Sequence, residues 1–146
     1  MPVALPPFGL PWAMLDRDAR HTGHSNSTGP DDPSVLGAPW PYKAGGPIFS
    51  SPAIDYAGTA YVGSEDGWLH AVGFNGKGTP LFKTGGPIQA SPALIEDSLL
   101  LLEGQAVAPP VIYFGSDDGQ IYSILPNGTL RWALAPGAQP NQSYRR

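Results

Sequence analysis

The segment GGPIFSSPA occupies residues 45–53, and a near copy, GGPIQASPA, occupies residues 85–93. A second segment, YVGSEDGWLHAV at residues 61–72, returns as YFGSDDGQIYSI at residues 113–124. The first pair is offset by 40 residues and the second by 52. Self-similarity at a period of about 40 residues is typical of repeat architectures. The larger second offset indicates an insertion in the second repeat, at about residues 94–110.

Each repeat has the pattern of four short strands joined by tight turns. In the first repeat we predict strands at residues 48–53, 60–63, 68–72 and 81–84. Asp-Gly and Asn-Gly pairs between apolar runs indicate hairpins, because glycine adopts a positive φ without steric cost. The predicted structural turns contain Asp66, Gly67, Asn75, Gly76, Asp118, Gly119, Asn127 and Gly128. Four strands per repeat of about 40 residues predicts an all-β chain with the blade pattern of a β-propeller.

The repeat alignment also predicts how the chain is divided. Trp40, Pro80 and Trp132 occupy matching positions, so we take each as the start of a repeat. This gives a lead-in segment at residues 1–39, a first repeat at 40–79, a second at 80–131, and the start of a third repeat with a tail at 132–146. The chain would then hold about two four-stranded antiparallel blades plus the start of a third.

Composition excludes several classes of protein. Among 146 residues, 19 glycines and 18 prolines disfavour a helical protein, while 41% hydrophobic residues argue against disorder. The net charge of −4 and the absence of an internal basic run exclude a nucleic-acid footprint. The absence of cysteine removes disulfides and thiol chemistry. We see no signal peptide, and no apolar run approaches the ~20 residues of a membrane span.

The repeats resemble those of quinoprotein-like β-propellers, the pyrroloquinoline quinone (PQQ) repeat family. The resemblance rests on W-x-[YF]-K-x-GGPI-x-x-SPA followed by Y-[VF]-GS-[ED]-DG, and on the lead-in WAMLDRDARHTGHSNSTG at residues 12–29. It implies a propeller fold and favours an extracytoplasmic location. The family includes PQQ-dependent dehydrogenases, and also a lipoprotein of outer-membrane protein assembly that binds partners without catalysis.

The chain has fewer repeats than that family uses. Propellers close with about four to eight blades, so two blades leave an apolar face open at each end. We therefore expect an incomplete propeller whose open faces are covered by further propeller repeats, other copies of the chain, or partner proteins. Pro80 also stands where the repeat normally has tryptophan.

Candidate chemical groups are few. Glu65-Asp66 and Asp117-Asp118 could form a cation or acid–base site, but their recurrence in both repeats favours turns, because an active site is normally single. His70 has the pattern of a packed or rim histidine and not of a catalytic one. Trp68 occupies a variable position, with Gln120 in the next repeat, and is a candidate surface contact. We predict no catalytic, cofactor-binding or metal residues.

Asparagine sequons occur at three places. Asn26, Asn127 and Asn141 are each the first residue of an N-x-[ST] pattern, which is an acceptor for glycosylation only in a secretory setting. Asn127 also belongs to the repeat's own turn chemistry, so the sequence leaves both interpretations open.

These observations favour a non-enzymatic scaffold or protein-interaction module built from PQQ-like repeats. One alternative is a fragment of a PQQ-dependent dehydrogenase, and only under this alternative would the chain use PQQ with calcium. A second alternative is an accessory subunit of a larger assembly.

Overall fold

The computed structural model describes residues 13–16, 20, 23, 41–95 and 109–137. Eight strands form within these ranges: β1 (Ala53–Ile54), β2 (Ala60–Gly63), β3 (Trp68–Val72), β4 (Gly78–Lys83), β5 (Ala93–Ile95), β6 (Val111–Gly115), β7 (Ile121–Ile124) and β8 (Leu130–Leu134). The described part of the chain contains no helix that could cross a bilayer. Trp40, most of the lead-in and residues 96–108 of the insertion lie outside the described residues.

The strands form two sheets in simple sequence order. β1-β2-β3-β4 make the first sheet and β5-β6-β7-β8 the second, and every neighbouring pair is antiparallel. The predictions of an all-β chain and of two four-stranded antiparallel sheets are therefore confirmed. The two sheets do not close on each other.

Tight turns connect the central strands of both sheets. Gly67 and Gly119 have φ of +77° and +84°, and each donates its N–H to the carbonyl three residues earlier. Gly76 and Gly128, at the next turn of each sheet, have φ of +76° and +84°. Only glycine adopts this backbone conformation without strain.

The first predicted strand is wrong in its bounds. The sequence predicts a strand at residues 48–53, whereas β1 begins at Ala53. The preceding segment is held by side chains instead of a strand ladder, because Ser50 Oγ accepts a hydrogen bond from Gly63 N–H at 2.8 Å and Ser51 N–H donates to Ser91 Oγ at 2.9 Å. Pro52 has no N–H to contribute to a ladder.

The fourth strand begins earlier than predicted. β4 starts at Gly78, directly after the Asn75-Gly76 turn, and ends at Lys83, whereas the sequence predicts residues 81–84. Pro80 is tolerated within it because β4 is an edge strand. Trp132, taken as the start of a third repeat, lies in β8 and pairs with Ser123 of β7.

Within the described residues, one hydrophobic core joins the two sheets. Since side chains alternate between the two faces of a strand, register assigns Ala53, Tyr61, Gly63 and Leu69 to one face of the first sheet. This face packs on the second sheet's buried residues, which are Leu94, Ile112, Phe114, Tyr122 and Ile124. Phe82 at the rim contacts the rings of Phe114 and Tyr122 at centroid distances of 6.2 and 5.4 Å.

Candidate protein-interaction face

Two equivalent aspartates bind the glycine-rich loops, residues 45–48 and 85–88, to the sheets. Asp66 Oδ2 accepts a hydrogen bond from Gly45 N–H at 2.8 Å, and its Oδ1 accepts one from Trp68 N–H at 2.9 Å. Asp118 does the same for Gly85 N–H at 2.8 Å and Gln120 N–H at 3.0 Å. We call this repeated arrangement the aspartate clamp. Because the same hydrogen bonds occur in both sheets, the two carboxylates have a structural role in holding the loops.

Each aspartate clamp is completed by a buried side chain from β3 or β7. His70 Nε2 lies 3.0 Å from Asp66 Oδ2, and His70 Nδ1 lies 2.7 Å from the Tyr42 hydroxyl. Tyr122 occupies the equivalent position in the second sheet and donates to Asp118 Oδ2 at 2.6 Å. Burial and the hydrogen bond to the Asp118 carboxylate raise the pKa of Tyr122 to about 12. His70, only 3% exposed, is therefore packed, as the sequence predicts.

The clamps are ionised under ordinary conditions. Burial opposes ionisation of Asp66, but the hydrogen bonds from Trp68, Gly45 and His70 outweigh it and hold the pKa of Asp66 below its usual value. Burial likewise opposes ionisation of Asp118, and hydrogen bonds from Tyr122, Gly85 and Gln120 lower its pKa. Hydrogen bonds to the charged form thus dominate at both positions.

The clamps predict loss of stability in acid. A carboxyl whose folded pKa is depressed stabilises the fold above its unfolded pKa of about 3.9, and this contribution disappears as pH falls through the folded value. We expect the urea concentration at the unfolding midpoint to decrease as the pH is lowered below about 4. The double variant Asp66→Asn/Asp118→Asn should have a lower midpoint at pH 7, and its midpoint should decrease less in acid than that of wild type. Asp117→Asn, on the exposed neighbouring residue, is the control and should keep the wild-type midpoint at pH 7. A double variant whose midpoint decreases in acid as much as that of wild type would contradict this prediction.

The remaining carboxylates that the structure describes do not assemble a calcium site. Glu65 Oε1 is buried without a hydrogen-bond partner among the described residues, while Asp117 is exposed. Within the same described ranges, no three histidine or carboxylate side chains are grouped as metal ligands. Calcium prefers six to eight oxygen ligands. Since the Asp66 and Asp118 oxygens already accept backbone hydrogen bonds, the described residues do not provide that ligand set.

Trp68 is half-buried, and its ring contacts a cation of the same chain. Lys83 Nζ lies 5.8 Å from the Trp68 ring centroid and also donates to the Asp66 carbonyl oxygen. Part of this indole is thus engaged within the first sheet.

Of the three sequon residues, Asn127 lies in the turn between β7 and β8, where it is exposed and accepts a hydrogen bond from Thr129 N–H at 2.9 Å. The other two sequon residues, Asn26 and Asn141, lie outside the described residues.

The second sheet exposes an apolar face directed away from the first sheet. Register places Tyr113, Ile121, Trp132 and Leu134 on this surface, which we call the open face. Ile121 is 40% exposed and Leu134 is 37% exposed. The rings of Tyr113 and Trp132 pack together at a centroid distance of 5.8 Å. The open face therefore presents a preformed aromatic pair flanked by aliphatic side chains.

The open face is the repeat equivalent of a surface that is buried in the first sheet. Tyr61 corresponds to Tyr113 and is 2% exposed, and Leu69 corresponds to Ile121 and is fully buried. The difference arises because the second sheet packs against this surface of the first sheet. The open face lies on the other side of the second sheet, directed away from the first. The sequence predicts open flanks in general, and the repeat alignment with the two-residue alternation of strands identifies the equivalent positions without showing which of the two repeats is exposed.

The opposite end of the described chain also exposes apolar side chains. Ile48 is 43% exposed and Phe49 is 72% exposed. Ile48 is the repeat equivalent of Ile88, which is fully buried between the sheets. The two ends therefore expose complementary parts of one contact that the chain makes internally.

Comparison with protein-family models and with curated proteins gave no match. The described part of the chain has an all-β fold with two stacked four-stranded antiparallel sheets.

Proposed function

We propose that the chain is a non-enzymatic scaffold, or protein-interaction module, of the PQQ-repeat propeller type, and that the open face is its binding surface. The observation that carries this proposal is the burial contrast between equivalent positions. Leu69 is fully buried by the second sheet, while Ile121 is 40% exposed. A surface built to be covered in one repeat is thus presented to other molecules in the next.

The chemistry of the open face supports binding of protein. Contiguous exposed apolar surface marks interaction sites, and burial of such surface stabilises a complex by about 25 cal/mol per Å² before the costs of association. Aromatic residues are enriched at the centres of protein interfaces, where Tyr and Trp contribute most strongly. The paired rings of Tyr113 and Trp132 supply such a centre with little side-chain freedom to lose.

The arrangement of the acidic groups also favours a structural role over a catalytic one. Asp66 and Asp118 hold loops through backbone hydrogen bonds, and both nitrogens of His70 lie within hydrogen-bond distance of side chains of the chain itself. A general acid or base must reach a substrate proton, which these engaged groups do not offer. The dehydrogenase alternative is tested in the experiment that follows.

The experiment compares three baits of the full chain in native extract by quantitative mass spectrometry. We expect wild type and the control Phe74→Ser to retain the same binding proteins, because Phe74 is 81% exposed but lies in the β3–β4 turn, away from the open face. Ile121→Asp/Leu134→Asp should lose those proteins at least tenfold while keeping the wild-type circular dichroism spectrum. Indistinguishable profiles for the three baits, or dye reduction that depends on added PQQ and Ca²⁺, would overturn the proposal.

A further inference from the structure

Within the described residues, the glycine-rich loop of residues 85–88 docks on the first sheet. Ile88 packs against Gly63 so closely that an added Cβ at Gly63 would lie 2.6 Å from the Ile88 carbonyl oxygen. Ile88 N–H also donates to the Ser64 carbonyl at 3.0 Å. This loop therefore lies between the two sheets and contacts the first sheet at Gly63 and at the Ser64 carbonyl.

The second sheet has an equivalent docking position for such a loop, at Gly115 and Ser116. Gly115 is the equivalent of Gly63, but the atom nearest to an added Cβ there is Ala90 Cβ at 3.7 Å. Among the described residues, none fills the space beside Gly115, at the edge of the open face, as Ile88 fills the space beside Gly63. Ser116 is the equivalent of Ser64, and its carbonyl accepts Gly119 N–H at 3.0 Å as the Ser64 carbonyl accepts Gly67 N–H.

The donor for such a contact is the loop of residues 45–48, which we call the leading loop. Ile48 is the equivalent of Ile88 and is 43% exposed. The leading loop is held in place by its own sheet, because Gly45 N–H donates to Asp66 Oδ2 and the Pro47 carbonyl accepts Glu65 N–H at 2.9 Å. The second loop is held by the same bonds to Asp118 and Asp117. A preorganised loop binds without a large cost of ordering.

We propose that the open face binds a second copy of this chain, head to tail, with Ile48 of the second copy packed on Gly115 and its N–H bonded to the Ser116 carbonyl. This proposal rests on the proposed function, since it names the partner of the same open face. The second copy is the occupant because its leading loop carries the GGPI sequence and the aspartate clamp that the internal contact uses.

The same equivalence identifies a side chain that competes with the contact. Tyr42 is the repeat equivalent of Phe82, and it lies over His70 at a ring-centroid distance of 5.6 Å. Leu134 is also equivalent to Phe82, so in the head-to-tail contact Leu134 of the first copy replaces Tyr42 of the second copy on His70. Tyr42 therefore weakens association, and its removal strengthens it.

A head-to-tail contact leaves one free end on each copy and closes only as a ring. Propellers close with about four to eight blades, so a ring in which each copy contributes the two described sheets has about two to four copies. The assembly should be a discrete species of that size.

Sedimentation velocity of the purified full chain, over a hundredfold range of concentration, tests the contact. We expect wild type to form the discrete assembly, Tyr42→Ala to form it at least fivefold more tightly, and Gly115→Ala and Ile48→Asp to remain monomeric. Phe74→Ser is the control for lost surface apolarity and should associate as wild type does. Monomeric wild type at every concentration, or wild-type association of Gly115→Ala, would refute the second copy as partner.

Mixing the two monomeric variants gives the sharpest outcome. Gly115→Ala keeps an intact leading loop and Ile48→Asp keeps an intact acceptor, so their equimolar mixture should form a dimer that does not grow. A symmetric interface would not be restored in this way. A mixture that stays monomeric would contradict the head-to-tail geometry. If wild type is monomeric but the Ile121→Asp/Leu134→Asp bait still loses binding proteins, the proposed function survives while this inference fails.

Discussion

Phe114→Ala should lower the free energy of unfolding by about 3–5 kcal/mol, the usual cost of removing a buried phenylalanine ring. Phe114 is 3% exposed and stacks on Tyr122 at a centroid distance of 5.4 Å with an interplanar angle of 15°. It also contacts Phe82 of the first sheet, so its removal opens a cavity in the core that joins the two sheets. Urea unfolding followed by tryptophan fluorescence measures the change.

The matched control for this variant is Phe74→Ala. Phe74 is 81% exposed in the turn between β3 and β4, so the same chemical change should shift stability by no more than about 0.5 kcal/mol. A similar loss in both variants would mean that the two sheets do not share a core. A Phe114→Ala variant within 1 kcal/mol of wild type would lead to the same conclusion.

Strand positions could be predicted where local sequence determines them. β2 and β3 have the predicted bounds, Ala60–Gly63 and Trp68–Val72, because Asp66-Gly67 specifies the turn between two alternating runs. The antiparallel order of each sheet follows from such short connections, since consecutive strands joined by tight turns pair with each other.

Contacts between side chains distant in sequence could not be predicted in this way. The segment before β1 resembles a strand in composition, but it has no strand ladder. Its Ser50 hydroxyl accepts a hydrogen bond from Gly63 N–H, and its Ser51 N–H donates to the Ser91 hydroxyl. The pairing of Tyr42 with His70 joins residues 28 apart, and no local pattern indicates it. The sequence predicts only a turn at the aspartate clamp, because the bond from Asp66 to the glycine-rich loop spans 21 residues in the first repeat.

The identity of the candidate interface depended on the arrangement of the sheets. Leu69 and Ile121 follow the same Asp-Gly turn and have the same local pattern, yet one is fully buried and the other is 40% exposed. The difference lies in whether another sheet stacks on that face, which is a property of tertiary order and not of the repeat. The sequence alone therefore predicted that exposed flanks exist, without assigning them to residues.

Gly63→Ala should destabilise the chain by about 3 kcal/mol, at the upper end of the cost of overpacking a well-packed core. The added Cβ would lie 2.6 Å from the Ile88 carbonyl oxygen and 2.9 Å from Ile88 Cβ, so backbone must move. That movement would strain the Ile88 N–H bond to the Ser64 carbonyl, which joins the loop to the first sheet. Thermal and urea unfolding measure the loss.

Gly115→Ala makes the same chemical change at the equivalent position and separates packing from intrinsic strand preference. Its added Cβ would meet Ala90 Cβ at 3.7 Å, an ordinary contact, and the backbone of Gly115 does not have a positive φ. At low protein concentration, where association adds nothing to stability, this variant should unfold within about 0.5 kcal/mol of wild type. Equal destabilisation of the two variants would show that Ile88 does not pack on Gly63 in solution. It would also remove the template from which the contact between copies is inferred, because Ile48 can dock on Gly115 only in the way that Ile88 docks on Gly63.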